Sequence, residues 1–140
     1  MPMGLVYAEI ELINAVDLEL ARRYKIGEEE IKRVTVTILA DSGSMHMCIN
    51  ESIREQLQLA IVDKKKGQLA NGSIVEYDMA GPIEVRFKNR RCVLDAIVLP
   101  GESEPLLGAI PLEDMDILID PLRRELIVNP EHPEMVQVRM

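Results

Sequence analysis

Three consecutive residues, Asp41, Ser42 and Gly43, combine a carboxylate, a hydroxyl and a glycine at the end of an apolar stretch. The two residues before them, Leu39 and Ala40, are apolar, and a carboxylate in such surroundings is costly unless it is hydrogen-bonded. The glycine lets backbone N–H groups approach that carboxylate, and an aspartate held in this way can act as a general acid or base. The same tripeptide also occurs in ordinary turns, so a motif this short does not decide between the two interpretations by itself.

A second set of residues has side chains suited to metal binding or thiol chemistry. His46 and Cys48 lie two apart in a predicted strand, and His132 follows much later in the chain. This is not the spacing of a zinc site, and side chains two apart on a strand point the same way rather than at each other. We therefore expect no metal, no cofactor and no cysteine nucleophile.

The elements that must position Asp41 follow a period of two rather than 3.6. Alternating apolar residues predict a strand over 6–12 and another from Ile31 that runs into Asp41. Between these strands, residues 17–24 predict a helix, and a short strand over 45–49 follows the tripeptide. The catalytic candidate is therefore expected at the end of a strand, in a tight turn.

Further along the chain, more short strands alternate with turns. Asn50 and Ser52 are both good N-cap residues for a helix over 51–59, and Asn71-Gly72 is the strongest two-residue hairpin signal. The remaining pattern predicts a first hairpin within 68–79, a second within 83–99, a loop over 100–105, a helix over 111–115 and a last hairpin within 117–128. Only the tail from residue 130 onward is expected to be loosely held. The sum is a mainly β domain with two or three short helices.

In this order, the motifs resemble the retropepsin-like (retroviral-type) aspartic proteases, and more closely the small prokaryotic aspartic proteases of the same clan. The resemblance covers residues 31–128 and has four parts: the strand ending in Asp41-Ser42-Gly43, the strand and helix over 45–59, the hairpin turning at Asn71-Gly72 in the place of the family's flap, and Leu106-Leu107-Gly108 followed by a short helix. Residues 1–30 then form an N-terminal extension of unknown role and residues 130–140 a tail, within a single domain of 1–140.

The resemblance implies a mainly β, acid protease-like closed barrel with one or two short helices, acting as a dimer. Such proteases use two carboxylates that share one proton across a water molecule. One carboxylate acts as the base toward the water, and the other acts as the acid toward the scissile carbonyl. This chain contains a single Asp-Ser/Thr-Gly sequence, so the second carboxylate must come from another copy, with Asp41 facing its own two-fold mate.

The resemblance also implies roles for individual residues. Asp41, Ser42 and Gly43 are the predicted catalytic residues: Ser42 would hydrogen-bond the partner's loop, and Gly43 would donate its N–H toward the carboxylate. Ser44 stands where the family usually has alanine, beside the substrate. The turn Asn71-Gly72-Ser73 replaces the family's glycine-rich flap tip, and together with Ser44 it supplies the predicted substrate contacts.

Composition excludes several other functions. A chain of 140 residues fits one domain, and its net charge of −8 argues against nucleic acid as the main partner, since phosphate binding needs a basic face. No apolar run reaches the roughly 20 residues of a membrane helix. The N-terminal residues lack the pattern of a secretion signal, and two cysteines do not make a disulfide framework. We therefore expect a cytoplasmic protein without a membrane partner.

Together these features predict a homodimeric aspartic endopeptidase that acts on a peptide or protein substrate. The alternative is a catalytically silent retropepsin-like dimer that serves as a peptide-binding or interaction module. The intact Asp41-Ser42-Gly43 sequence favours the enzyme, because a binding module has no need for a costly buried acid. The altered flap tip and Ser44 favour the alternative.

Overall fold

A computed structural model describes residues 4–140 of the chain. Residues 1–3, which belong to the N-terminal stretch without the pattern of a secretion signal, lie outside this range. The elements in chain order are β1 (Val6–Asn14), α1 (Ala15–Arg22), a 3-10 helix (Glu28–Glu30), β2 (Arg33–Ala40), β3 (Cys48–Asn50), α2 (Glu51–Leu57), β4 (Ala60–Gln68), β5 (Ile74–Phe87), β6 (Arg90–Leu99), β7 (Leu106–Leu107), α3 (Ala109–Asp114), β8 (Ile117–Asp120) and β9 (Glu125–Val128).

Seven of the strands form one sheet in the order β1-β2-β7-β3-β6-β5-β4, and β1 also pairs with β5. The short strand β7 runs parallel to β2 and antiparallel to β3, so it lies between them. Strands β8 and β9 form a separate antiparallel pair. The domain is therefore mainly β, as the sequence predicts, and the strand that leads into Asp41 has β7 as its neighbour.

The N-terminal region, whose role the sequence leaves open, supplies a full strand of this sheet. Strand β1 pairs with β2 over eight residue pairs, from Val6 opposite Ala40 to Ile13 opposite Arg33. Alternate side chains of β1 face inward, and Ile10 is completely buried. Residues 6–14 thus hold the strand that ends at the catalytic candidate.

The core is aliphatic, as expected for a chain with so few aromatic residues. Burial of one such side chain stabilises the fold by roughly 1.5–3 kcal/mol. The most buried members of this core come from β1, β2, β3, β5 and β7, from α2 and α3, and from the segments that flank them: Ile10, Leu12, Ile38, Met47, Ile49, Leu57, Ile83, Val85, Leu107, Leu112 and Met115. The last residues of β2 and β7, Ala40 and Leu107, both belong to this core.

Side-chain caps set the beginnings of the first two helices. The Asn14 side chain accepts hydrogen bonds from two backbone N–H groups of α1, and Asn50 accepts one from the N–H of Ile53 in α2. Of the two N-cap candidates for α2, the structure uses Asn50 rather than Ser52. Three α-helices are present in residues 4–140, where the resemblance implies one or two, because α1 lies before the region that the resemblance covers.

Several strand boundaries differ from those that the sequence predicts, and the largest difference is that β4 begins at Ala60, before the hairpin predicted within 68–79. Strand β3 begins at Cys48 rather than at Met45, because the backbone of residues 45–47 bonds to other segments: Met45 O accepts from Ile110 N at 3.0 Å. Strand β5 is continuous where the sequence predicts two strands. It passes Gly81-Pro82 with only a shift of register against β6.

The C-terminal tail lacks regular secondary structure but is bound to the body of the protein. The Asp116 carboxylate lies 2.7 Å from the His132 ring and accepts a hydrogen bond from Asn129 at 3.0 Å. The Asn129 bond is the largest of the contacts that hold the pKa of Asp116 below its usual value. The Asn89 side chain also donates to Pro133 O at 3.0 Å. The expectation of a loosely held tail is therefore wrong for these residues.

Candidate active site

The position of Asp41 is set by the pairing of β2 with β7. Leu39 lies opposite Leu106 and Ala40 opposite Leu107 in this parallel pair. Immediately after the last pair, Asp41 N donates to Leu107 O at 2.9 Å. Asp41 is half-buried and stands where β2 leaves the sheet.

The carboxylate of Asp41 is held by the turn that follows it. Gly43 N donates to Asp41 Oδ1 at 2.9 Å, and Ser44 N donates to the backbone oxygen of Asp41 at 3.1 Å. A side chain at Gly43 would bring its Cβ to 3.1 Å from the same carboxylate oxygen, which is a tight contact. The turn thus holds the carboxylate through a backbone hydrogen bond, an arrangement suited to an acid or base at a fixed place.

Gly108 packs directly against the backbone of the Asp41 loop (residues 41–46). A Cβ on Gly108 would lie 2.6 Å from Ser44 O and even closer to His46 O, both of them backbone atoms. On the next residue, Ala109 N donates to Ser44 O at 2.7 Å. The segment that follows β7 therefore holds the Asp41 loop from one side, and only glycine fits at its point of closest approach.

Ser42 and Ser44 occupy different surroundings in this loop. Ser42 is exposed and lines a groove of about 510 Å³, whose other walls come from α3 and β8: Ala109, Leu112, Glu113, Asp116, Ile117, Leu118 and Ile119. Ser44 is half-buried, and its hydroxyl donates to His46 O at 3.4 Å.

The predicted flap is the hairpin of β4 and β5, with its turn at residues 69–73. The Asn71 side-chain oxygen accepts from Ser73 N at 2.9 Å and from Ser73 Oγ at 2.6 Å. Gly72 has a φ of +87°, which favours glycine. Across residues 4–140, no hydrogen bond joins this turn to the Asp41 loop. The structure thus brings Asp41, Gly43 and Ser44 together in one loop, to which the turn is not hydrogen-bonded in the described range.

The residues considered for metal or thiol chemistry do not form a site in the described part of the chain. Cys48 is buried, and burial raises the pKa of its thiol, so the reactive thiolate is disfavoured. In residues 4–140, no three His, Cys, Asp or Glu side chains are grouped so that they could hold a metal ion. None of the helices of the same range is long and apolar enough to span a bilayer.

Sequence reasoning missed one side-chain pair beside the Asp41 loop. Tyr7 on β1 donates its hydroxyl to Glu104 Oε1 at 2.7 Å, and this bond is the main cause of the raised pKa of Tyr7. Tyr7 lies opposite Leu39, two residues before Asp41. The alternation of β1 places Tyr7 on an exposed face, but no local pattern shows that its partner comes from a loop 97 residues away.

Comparisons with known proteins agree with this geometry. A family model described as aspartyl protease matches residues 23–109, which is more than half of the chain. Among solved structures, the retroviral protease-like domain of Ddi1 from Leishmania major is similar in fold, with a TM-score of 0.55 and 14% sequence identity over 92% of this chain and 91% of that chain. No curated protein matches. The chain therefore belongs to the aspartyl protease family and has a retropepsin-like fold.

Proposed function

We propose that the protein is a homodimeric aspartic endopeptidase in which Asp41 of each copy contributes one of the two catalytic carboxylates. The observation that carries this proposal is the hydrogen bond from Gly43 N to Asp41 Oδ1 at the end of β2, in a chain of the aspartyl protease family. A single Asp-Ser-Gly sequence requires the second carboxylate from a second chain.

In the proposed reaction, the two Asp41 carboxyl groups share one proton. The ionised carboxylate accepts a proton from a water molecule while the water oxygen bonds to the scissile carbonyl carbon, and the protonated carboxyl donates its proton to the carbonyl oxygen. The carbon–nitrogen bond then breaks, and the departing amine takes the proton that came from the water. One hydroxyl of the tetrahedral intermediate returns its proton to the other carboxylate as the carboxylic acid product forms, which restores the shared proton. The backbone bonds of the Asp41 loop keep each carboxylate in place during these transfers.

The groove beside Ser42 is the proposed contact surface for the second copy. Leu118 of β8 lines this groove with a side chain that is 44% exposed, and Ile110 of α3, next to the lining residue Ala109, is 45% exposed. Burial of such side chains drives association. Ser42 lies at the edge of this groove, so its hydroxyl is available to the partner's Asp41 loop.

The proposed substrate lies between the Asp41 loop and the hairpin. We propose Ser44 and the turn Asn71-Gly72-Ser73 as its contacts, with the hairpin as the cover. The pairing of β1 with both β2 and β5 supports a closed acid protease-like barrel beneath them.

The proposed location is cytoplasmic, with a peptide or protein substrate and without a nucleic acid or membrane partner. Both cysteines are free and buried, as expected for a reducing compartment, and the net charge is −8.

Incubation of the purified protein with a diverse peptide library tests the activity. We expect cleavage at internal peptide bonds that pepstatin, which mimics the transition state, inhibits. Cleavage that persists with pepstatin and stops with a metal chelator would overturn the proposal. Binding of peptides by a dimer that cleaves none of them between pH 3 and 8 would instead support the silent interaction module.

Light scattering across micromolar concentrations tests the dimer. We expect twice the mass of one chain, and a specific activity that falls on dilution together with the dimer fraction. A fully active monomer would contradict the shared site.

A further inference from the structure

The loop over residues 100–105, here called the acidic loop, is bonded to the strand that carries Asp41. Leu39 N donates to Pro105 O at 3.2 Å, and β7 begins at Leu106, the residue that follows the loop. The loop carries two acids, Glu102 and Glu104, both exposed. These carboxylates therefore lie near the end of the strand that leads into Asp41.

Glu104 lies beside the end of β2 that leads into Asp41. Ile38 and Ala40 are buried, so the alternation of β2 places Leu39 on the opposite face, and Asp41 follows directly after the last residue of the strand. Tyr7 lies opposite Leu39 and shares that face, and its hydroxyl fixes Glu104 at 2.7 Å. The rise along the chain from Leu39 to Asp41 is about 7 Å, so we expect a separation on the order of 10 Å between the carboxylates of Glu104 and Asp41.

The charge of the acidic loop has no cationic partner. Tyr7 is a neutral donor, and within the described range of 4–140 neither Glu102 nor Glu104 forms an ion pair. The hairpin differs, because Lys64 is paired there with Asp78 at 2.9 Å and with Glu76 at 3.7 Å. The acidic loop therefore carries two negative charges without a cationic partner in the described range, whereas Glu76 and Asp78 of the hairpin are paired with Lys64.

We propose that Glu104, fixed by Tyr7 and assisted by Glu102, makes the protease select substrates with a lysine or arginine two or three residues from the scissile bond. This inference rests on the proposed endopeptidase function. An extended peptide advances about 3.3 Å per residue, so a separation of roughly 10 Å corresponds to that position. In a two-fold dimer, each copy supplies one acidic loop, so the preference extends to both sides of the scissile bond.

The size of the preference follows from Coulomb's law. The Glu104 carboxylate and a basic side chain of the substrate, about 5–10 Å apart near the protein surface, attract each other only weakly. We therefore expect kcat/KM to rise about two- to tenfold for each basic residue at that position. Both groups are solvent-exposed, so salt at about 1 M, with a Debye length near 3 Å, should remove most of the preference.

The test uses matched peptides that differ only in lysine, glutamine or glutamate two or three residues from one cleaved bond. For each peptide, kcat/KM is measured at low and high salt with the wild-type dimer and with Glu104→Gln, Tyr7→Phe and Glu28→Gln. Glutamine at 104 can still accept the Tyr7 hydrogen bond, so this variant removes the charge alone. Glu28 is an exposed acid of the 3-10 helix and serves as the matched control.

We expect lysine peptides to be cleaved about two- to tenfold faster than glutamate peptides by the wild type and by Glu28→Gln. Glu104→Gln should reduce this ratio toward one, and Tyr7→Phe should reduce it in part. Cleavage of all peptides at equal rates, or an unchanged ratio in Glu104→Gln, would overturn the selectivity and leave the endopeptidase intact. Absence of cleavage of every peptide would instead count against the proposed function. If Glu104→Gln fails to fold, Glu102→Gln should lower the ratio by a smaller amount.

Discussion

The Asp41 loop and the turn of the β4–β5 hairpin are stabilised in different ways. The Asp41 loop is bonded to elements far away in the chain: Asp41 N to Leu107 O, and Ser44 O to Ala109 N. Within residues 4–140, the hairpin turn is bonded only to itself, through two backbone bonds and two bonds to the Asn71 side chain, and the flanking residues are mostly exposed. One region is held by the core of the domain, whereas the other is held by local bonds.

This difference matches the two tasks that the proposed function requires. A catalytic carboxylate must keep its position to within a fraction of an ångström, which favours a loop held by several segments. A cover for the substrate must open and close, and such elements come from the less stable parts of a fold. Substitutions in the Asp41 loop and in the hairpin turn should therefore affect activity and stability differently.

The largest expected effect is that of Asp41→Asn on activity. The amide oxygen can still accept the Gly43 N–H, so the loop should keep its geometry, but the amide cannot exchange a proton with its mate. We expect kcat/KM to fall by about 10³-fold or more, with an unchanged melting temperature and an undiminished dimer. Steady-state kinetics, thermal unfolding and light scattering of the same sample check all three. Residual cleavage within tenfold of the wild type would show that Asp41 is not catalytic.

The sequence predicts the Asp41 loop better than it predicts the hairpin, for a physical reason. The apolar strand that ends in Asp41-Ser42-Gly43 has one buried face, and burial leaves a period of two in the sequence. Strand β4 is exposed along most of its length, and its run Lys64-Lys65-Lys66 has no alternation, so its beginning at Ala60 leaves no such pattern. The position of the turn at Asn71-Gly72 is predicted correctly because that signal is local, but the connection spans residues 69–73 rather than two residues.

A second expected effect compares the two glycines that serve the two regions. Gly108→Ala places a Cβ against the backbone at Ser44 and His46, which cannot move aside, so we expect a loss of about 3 kcal/mol in the free energy of unfolding. Gly72→Ala meets nothing within 4 Å and introduces only the strain of a positive φ, at about 1 kcal/mol. Urea unfolding of both variants measures the difference. Equal losses would contradict the view that long-range packing holds the Asp41 loop.

The third expected effect compares two acids of strand β5, the buried Glu84 and the exposed Asp78. Glu84, near its base, has a side chain only 1% exposed, and it accepts hydrogen bonds from Arg86 at 2.7 Å and Arg91 at 3.0 Å. Burial opposes ionisation of Glu84, but the two arginines outweigh it and hold the pKa of Glu84 below its usual value. We expect Glu84→Gln to lose about 2 kcal/mol of unfolding free energy at pH 7. Asp78→Asn, in the exposed pair with Lys64, should lose less than about 0.5 kcal/mol.

The sign of the pH dependence follows from the lowered pKa of Glu84. Its contribution to stability is fully present above the unfolded value of 4.5 and is lost as the pH falls through the lower folded value. The gap in unfolding free energy between wild type and Glu84→Gln should therefore narrow from pH 6 to pH 3. A gap that widened on acidification would mean that the arginines do not stabilise the ionised form. The sequence does not reveal this group, because only Arg86 lies on the same strand as Glu84, whereas Arg91 comes from β6.

The smallest expected effect is that of Asn71→Ala at the tip of the hairpin. Alanine removes both hydrogen bonds to Ser73, which lie within an exposed turn, so the global free energy of unfolding should change by less than about 0.5 kcal/mol. A more mobile cover should weaken substrate binding, and we expect KM to rise about twofold while kcat stays the same. Ser73→Ala keeps the backbone bond from Ser73 N to Asn71 and removes only the hydroxyl bond, so we expect a smaller rise in KM than in Asn71→Ala. A large loss of kcat in Asn71→Ala would place the turn in the chemical step, and the contrast between a fixed acid and a movable cover would then be wrong.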